Sequence, residues 1–176
     1  MRITHVLTAT AIAVISVGAS ISASADTTGT SSASITLTGG LLAITVPTGG
    51  SLGTRANSVG GGTISGPLGQ VQVTDARSAA AGSGWVASVI STAFTPTPGP
   101  AIAASAVSYA AGAIVKVGTA TYTANDPSGL AGVVAVVTAT GITGDNSATW
   151  NPTITVNVPG GMAAGIYAAT ITHSVV

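Results

Sequence analysis

The sequence contains no cysteine and no glutamate, and only 5% of its 176 residues are charged. Without cysteine the chain has neither a disulfide scaffold nor thiolate ligands for a metal ion. Its four Lys and Arg residues balance its four Asp residues, and the basic ones form no cluster. A basic cluster is what neutralises the phosphates of nucleic acid or draws a protein to an anionic membrane, so we expect no nucleic-acid partner.

Side chains for catalysis or metal binding are equally scarce. Beyond the first 25 residues the only histidine is His173, so a zinc site lacks ligands, and no D-x-D-x-D spacing indicates calcium. Glycoside hydrolysis requires two carboxylates. Asp126 and Asp145 instead stand in patterns typical of turns, where such residues bond their own backbone. We therefore expect a non-catalytic protein with no cofactor and no metal site.

One stretch matches the G-x-S-x-G pattern of serine hydrolases, Gly49-Gly50-Ser51-Leu52-Gly53. In those enzymes the serine stands between a strand and a helix, with a histidine base nearby. The residues that follow, TRANSVGGG, cannot supply that helix. A secreted hydrolase remains an alternative only if Ser51 or Asp75 lies in a pocket with partner side chains.

The first 25 residues indicate a secretory signal peptide. Arg2 supplies the positive charge, residues 6–18 form an apolar run, and Ala23-Ser24-Ala25 is a small-residue cleavage site. The run is shorter than the about 20 residues of a membrane span, so we expect no span after cleavage. The mature chain would begin near Asp26 and be secreted. Its three basic and four acidic residues would give a net charge of −1.

Alternation of apolar and polar residues predicts β-strands along much of the remaining chain. The alternating pairs and runs are Ile35/Leu37, Val71/Val73, 154–158 and 167–175. His173 shares the apolar face of the last run, which is typical of a half-buried strand histidine. The continuously apolar run 132–142 predicts a central strand covered on both faces.

Short breaks rich in Gly, Pro, Asn and Asp separate these runs and predict tight turns. The Ala-rich stretch 101–115 is open to two interpretations. Extended structure is favoured over a helix, because the stretch lacks charged i,i+4 pairs and contains Gly112. Together the patterns predict an all-β fold, an antiparallel, immunoglobulin-like β-sandwich in a single domain over residues 34–176. Residues 26–33 are expected to form a flexible lead-in.

The scarce charged and aromatic residues concentrate in one stretch, VTDARSAAAGSGWVASV, residues 73–89. Asp75 and Arg77 are two positions apart, so on a strand they share a face and can pair with each other or with backbone groups. Arg77 is expected to brace the small-residue loop 78–84 against the sheet. Trp85 then begins the next strand.

The two tryptophans, Trp85 and Trp150, are open to two interpretations. A chain with 3% aromatic residues has few large side chains with which to fill a core. Core filling is therefore the simpler interpretation. The alternative is that one of the two rings presents a flat platform to a sugar.

Residues 68–89, LGQVQVTDARSAAAGSGWVASV, resemble the WxL domain of Gram-positive cell-surface proteins, in a diverged, actinobacterial-looking form. The shared elements are V-x-D-x-R followed by a Gly-Trp strand, and a second tryptophan, Trp150, close to the C-terminal strand. Where the family has Trp-x-Leu twice, this sequence has Trp85-Val86-Ala87 and Trp150-Asn151-Pro152. The resemblance covers about residues 34–176. It implies a β-sandwich that attaches non-covalently to peptidoglycan or joins surface protein complexes.

These expectations converge on a secreted, non-catalytic module that is extracellular and associated with the cell wall. Its partners would be peptidoglycan or surface proteins, and Asp75, Arg77, Trp85 and Trp150 would be its signature or binding residues. The last residues, THSVV, contain neither an LPxTG-type sorting signal nor a hydrophobic tail. The alternative is a structural subunit that self-assembles into a coat or fibre, because a nearly neutral surface with exposed sheet edges resists association poorly.

Overall fold

The computed structural model describes residues 30–96 and 98–176. The predicted signal peptide, residues 1–25, and residues 26–29 of the predicted lead-in lie outside the described residues. Leu37–Val176 form one compact unit. The residues before Leu37 form a second unit, of which 30–36 are described, and these are exposed and belong to no helix or strand.

Regular structure in the described residues consists of β-strands and a single turn of 3-10 helix, Ala104–Ala106. The strands are β1 (Leu42–Thr45), β2 (Gly62–Pro67), β3 (Val71–Ser91), β4 (Val107–Ala110), β5 (Val115–Ala124), β6 (Val134–Trp150), β7 (Thr153–Val158) and β8 (Ile171–Val175). The prediction of an all-β fold is confirmed. Within the described ranges no helix is long and apolar enough to cross a membrane.

The strands form two antiparallel sheets packed together as a β-sandwich. The larger sheet has the order β1-β3-β6-β5, and the smaller has the order β2-β7-β4. β1 pairs with the beginning of β3 and β8 pairs with its end, whereas β6 pairs with β3 over most of its length. Val73 and Val89 from the larger sheet and Ile154 and Val156 from the smaller are buried in the core.

Burial along two of the predicted runs alternates as the sequence indicates. In β7, Ile154 and Val156 are buried and their neighbours are more exposed, and in β8 the half-buried face contains His173. The prediction of a strand at Ile35 and Leu37 is wrong, because these residues lie outside any strand and are 88% and 89% exposed. Alternation alone does not make a strand, since a strand also needs a neighbour with which to pair.

Two further predictions are confirmed and one is corrected. The apolar run 132–142 lies mostly in β6, which is central between β3 and β5. Residues 101–115 contain β4 and the 3-10 turn but no α-helix, so the extended interpretation is the better one. The tryptophan strands, however, are longer than expected: β3 has 21 residues and β6 has 17. Trp85 lies inside β3 instead of beginning a strand, and Trp150 is the last residue of β6, shortly before β7.

The two long strands are bent. Trp150 pairs with Val71 at the start of β3, and His173 pairs with Val89 near its end. At about 3.3 Å per residue, these positions would lie roughly 60 Å apart on a straight strand. Yet the hydroxyl of Tyr109 lies 2.7 Å from Nε1 of Trp150 and 3.3 Å from Nε2 of His173. The β3–β6 ribbon therefore folds back so that its two ends converge on one core.

The bend lies where the pairing register shifts. β3 advances ten residues between Asp75 and Trp85, whereas β6 advances only seven between their partners, Asn146 and Ala139. The additional residues of β3 bulge outward, and most of those from 76 to 84 are exposed or half-buried. Bulges of this kind bend a strand and increase its local twist.

β5 follows the same bend at Gly118, where its register against β6 shifts. Gly118 has a φ of +88°, a backbone conformation that other residues rarely adopt. A Cβ at this position would also lie 2.5 Å from the carbonyl oxygen of Asp145. The bend thus requires glycine on β5 for two independent reasons.

Gly118→Ala should lower the free energy of unfolding by about 1–3 kcal/mol, because the substitution combines an unfavourable φ with a backbone clash. Gly132→Ala is the matched control, since an added Cβ there meets nothing within 4 Å. This control should remain within about 0.5 kcal/mol of the parent. Urea unfolding midpoints measure both effects. Equal midpoints for the two variants would show that the bend does not constrain β5.

Candidate functional site

The scarce charges of residues 73–89 meet at the bend. The solvent-inaccessible carboxylate of Asp75 accepts two hydrogen bonds from the guanidinium of Arg77, from Nε to Oδ1 at 2.8 Å and from Nη2 to Oδ2 at 2.9 Å, and a third from the Arg77 backbone N–H at 3.1 Å. Nη2 also donates to the carbonyl oxygen of Gly84 at 3.3 Å, on the far side of the bulge. Hydrogen bonding from Arg77 lowers the pKa of the Asp75 carboxyl, against the opposing effect of burial. Arg77 thus holds the two ends of the bulge together, as its position in the sequence predicts.

Asn146 connects the same region to Trp85 and to β5. Its Oδ1 accepts hydrogen bonds from Nε1 of Trp85 and from the hydroxyl of Tyr122, each at 3.1 Å. The two rings also pack together, with centroids 5.7 Å apart. Burial raises the pKa of Tyr122, so its phenol remains a neutral donor. Because Asn146 stands opposite Asp75 in the register, this network and the ion pair together join β3, β6 and β5 at the bend.

The second tryptophan has its own buried partner. Nε1 of Trp150 donates to the hydroxyl of Tyr109, and that hydroxyl in turn contacts Nε2 of His173. Burial raises the pKa of Tyr109 and lowers the pKa of His173. Because the hydroxyl already accepts from Trp150, we assign its own hydrogen to Nε2 of a neutral His173. This chain of side chains joins β6, β4 and β8, and therefore both sheets.

Both tryptophans are core residues. Trp85 and Trp150 each retain only 2% of their surface, and each indole N–H is satisfied inside the protein. The interpretation of either ring as a sugar platform is contradicted, because no face is open to a ligand. Asp75 is equally inaccessible, and only Arg77, whose side chain is 39% exposed, reaches solvent. Asp75, Arg77 and Trp85 therefore belong to the structural network at the bend, and Trp150 belongs to a separate network with Tyr109 and His173.

The other two aspartates in the described part of the chain also hold the backbone. Oδ1 of Asp126 accepts from the backbone N–H of Ala111 at 2.8 Å, and Oδ1 of Asp145 accepts from the backbone N–H of Ser78 at 3.0 Å. These bonds join distant segments, whereas the sequence predicted bonds within local turns, and Asp145 lies inside β6. Among residues 30–96 and 98–176, no three His, Cys, Asp or Glu side chains come close enough to hold a metal ion.

A groove of about 900 Å³ opens between the segments that follow β1 and β7. We call it the loop groove, and its walls are residues 46–58 and 162–170. Its apolar floor includes Ile64, Leu68, Phe94, Ile102, Val156 and Ile171. The charged side chain of the groove, Arg55, donates to the carbonyl oxygens of Gly61 and Thr63. The volume falls within the range of about 300–1,000 Å³ that is typical of ligand sites.

Ser51 and His173 both line the loop groove, which bears on the hydrolase alternative. Oγ of Ser51 accepts from the backbone N–H of Gly53 at 3.3 Å, whereas Nε2 of His173 contacts the hydroxyl of Tyr109. Nδ1 of His173 is buried without a partner in the described structure, so no carboxylate orients the ring there. A serine nucleophile needs a base within about 2.6–3.2 Å that a third group orients. The geometry of the groove therefore favours binding over hydrolysis.

Sequence reasoning did not find the loop groove. Its walls are rich in Gly, Ala, Ser and Thr, which are typical of turns and carry no catalytic or ligand-binding motif. The available signal was the presence of apolar residues inside those segments, such as Leu52 and Ile166. Ile166 is 89% exposed, and an exposed large apolar residue at the rim of a cavity is typical of a binding site.

Arg77→Ala should lower the free energy of unfolding by about 1.5–3 kcal/mol, because it leaves a buried carboxylate without its charged donor. Arg55→Ala is the control, since this exposed arginine bonds only to backbone carbonyl oxygens. Chemical unfolding at neutral pH compares the two variants. If both variants lost the same small amount of stability, the ion pair at the bend would stabilise the fold no more than the exposed Arg55 does.

Tryptophan fluorescence tests the burial of both rings. The folded protein should emit at shorter wavelength than the urea-unfolded chain and resist quenching by acrylamide, because both indoles are buried. Isolated cell walls should change neither property, since neither ring contacts a ligand. Protection from the quencher on addition of walls would place a tryptophan at the binding surface and contradict the assignment to the core.

Comparisons with known protein families, with curated proteins and with solved structures give no match. The resemblance of residues 68–89 to the WxL domain therefore stays a prediction from the sequence.

Proposed function

We propose that this protein is a secreted, non-catalytic module that works at the cell surface by holding a partner in the loop groove. The observation that carries the proposal is the groove itself, which combines an apolar floor with a volume of about 900 Å³. Each described aspartate is committed to a structural bond, which supports a non-catalytic role. The predicted signal peptide and the resemblance to the WxL domain support the location.

The chemistry of the groove favours a protein segment as its partner over the glycan of peptidoglycan. Sugars carry many hydroxyl groups, and burying a hydroxyl against an apolar surface without a hydrogen bond is costly. Both tryptophans, which the sequence offered as platforms for a sugar ring, are inside the core. An uncharged peptide segment of a surface protein fits the apolar floor better.

Self-assembly into a coat or fibre is a second candidate, and unpaired strand edges favour it. Among the described residues, β2 pairs only with β7, β8 pairs only with β3, and β5 pairs only with β6. Unpaired edges present backbone N–H and C=O groups that another chain can use. The formal net charge of zero over the whole chain provides little repulsion between copies.

Ile166→Asp tests the groove as the binding site. The side chain lines the groove and is 89% exposed, so the change should leave the core intact while adding a charge beside the apolar floor. Binding to isolated cell walls with their surface proteins should weaken at least about tenfold, which corresponds to about 1.4 kcal/mol. Cosedimentation measures the bound fraction.

Val133→Asp is the matched control, because Val133 is 68% exposed and lies outside the groove. This variant should bind like the parent. Walls stripped of protein distinguish the two candidate partners. Binding that disappears on stripping identifies a surface protein as the partner. Binding that persists identifies the wall polymer. No binding by the parent, or equal binding by Ile166→Asp, would contradict the proposal.

A further inference from the structure

One segment of the chain has the pattern of a β-strand but forms none. Residues 33–38, ASITLT, would place Ile35 and Leu37 on one face of a strand and threonines on the other. Ile35 and Leu37 are 88% and 89% exposed, and every residue from 30 to 41 is exposed. Such a segment can bury its apolar face only if it finds a strand edge beside an apolar surface.

The loop groove provides both features. β8 lines it through Ile171 and His173, and β2 lines it through Ile64. Both are edge strands of their sheets within the described structure. On β2 the carbonyl oxygen of Thr63 already accepts from Arg55, so β8 offers the better edge for an added strand. The apolar floor would receive alternate side chains of that strand, which are spaced by about 6.6 Å. Nδ1 of His173 is also a buried polar atom without a partner at this groove.

β1 runs from the bend to the loop groove, so its first residue lies beside the bend and its last residue lies beside the groove. Leu42, the first residue of β1, stands opposite Asp75 at the bend. Just before it, the N–H of Gly40 donates to the carbonyl oxygen of Ala76, which fixes the chain beside the bend. The wall of the groove begins at Val46, directly after β1. Gly40 and Leu41, which precede β1 in the same compact unit, therefore lie at the end of β1 that is away from the loop groove.

We propose that residues 33–38 of one copy occupy the loop groove of a second copy as an added β-strand, with Ile35 and Leu37 on the apolar floor. The inference rests on the proposed function of the groove as a binding site, and it names the partner as an uncharged segment of the same chain. Residues 27–54 contain no charge, and the Arg55 guanidinium is occupied by backbone carbonyl oxygens.

The geometry of this contact determines the form of the assembly. Donor segment and groove are different surfaces of the same chain, so the contact is head-to-tail and not a symmetric pairing of identical patches. Contacts of this type repeat into an open fibre unless the rotation between copies closes a ring. Oligomers should therefore grow with protein concentration instead of stopping at a dimer.

The edge of β5 is a poorer acceptor. Lys116 places a charge between Val115 and Val117 on this strand, and the positive φ of Gly118 distorts the edge. Lysine residues and irregular backbone are features by which natural sheets block the pairing of edges. β5 also contributes no residue to the loop groove. The added strand is therefore assigned to the groove.

Light scattering coupled to size-exclusion chromatography of the purified full chain tests the proposal. The parent should form oligomers that grow with concentration. Leu37→Asp should raise the apparent dissociation constant at least about a hundredfold, because the carboxylate would be buried on an apolar floor without a partner. Thr36→Asp is the matched control, since it places the same charge on the opposite face of the segment, and it should assemble like the parent.

Mixing two variants tests the pairing directly. Ile166→Asp blocks the groove but keeps an intact donor segment, whereas Leu37→Asp blocks the segment but keeps an intact groove. Each should be monomeric alone, and an equimolar mixture should give a dimer of one copy of each and nothing larger. If the mixture stayed monomeric while the parent assembled, the pairing of segment and groove would be overturned.

The remaining outcomes separate this inference from the proposed function. If the parent stays monomeric at every concentration, self-assembly is overturned. The proposed function is then still decided separately by the binding of the groove to cell walls. Equal loss of assembly in Thr36→Asp and Leu37→Asp overturns insertion by one face of the segment. Unchanged assembly of Ile166→Asp overturns the location of the segment in the groove, even where that variant loses wall binding.

Discussion

The buried ion pair between Asp75 and Arg77 lies where the sandwich depends on a change of direction. β3 and β6 must bend there, because Tyr109 contacts both Trp150 and His173, which pair with opposite ends of β3. An outward bulge exposes backbone groups and is stable only if its geometry is fixed. The Arg77 guanidinium fixes it by donating both to the carboxylate of Asp75 and to the carbonyl oxygen of Gly84. Three of the few charged residues, Asp75, Arg77 and Asp145, are thus located where the backbone of β3 is irregular.

The two tryptophan networks serve a related purpose in a core made mostly of Val, Ala and Ile. Small aliphatic side chains of similar shape specify a strand register weakly, whereas a buried N–H must find its acceptor. Trp85 finds Asn146 and Trp150 finds Tyr109, so each indole fixes one half of the bent ribbon. A slip of one residue in either half would leave a buried donor unpaired.

The sequence was informative where structure follows from neighbouring residues. Alternation predicted β7, and the two-residue spacing predicted that Asp75 and Arg77 would meet. The bend was not predictable, because it arises from unequal residue counts in strands about 60 residues apart along the chain. The groove was missed for a similar reason, since its walls come from two segments that contain no chemical motif. The strand predicted at Ile35 and Leu37 was wrong, because a segment forms a strand only where another strand lies close enough to pair with it.

The position of β3 in the larger sheet also determines when the fold can be completed. β3 is bordered by β1 near the start of the domain and by β8 at its end, and Val89 pairs with His173. Pairings between residues so distant along the chain require large loops to close, and such topologies fold on timescales of about milliseconds to seconds. The edge of β3 around Val89 remains open until β8 pairs with it, so the larger sheet is completed only when segments far apart along the chain have met.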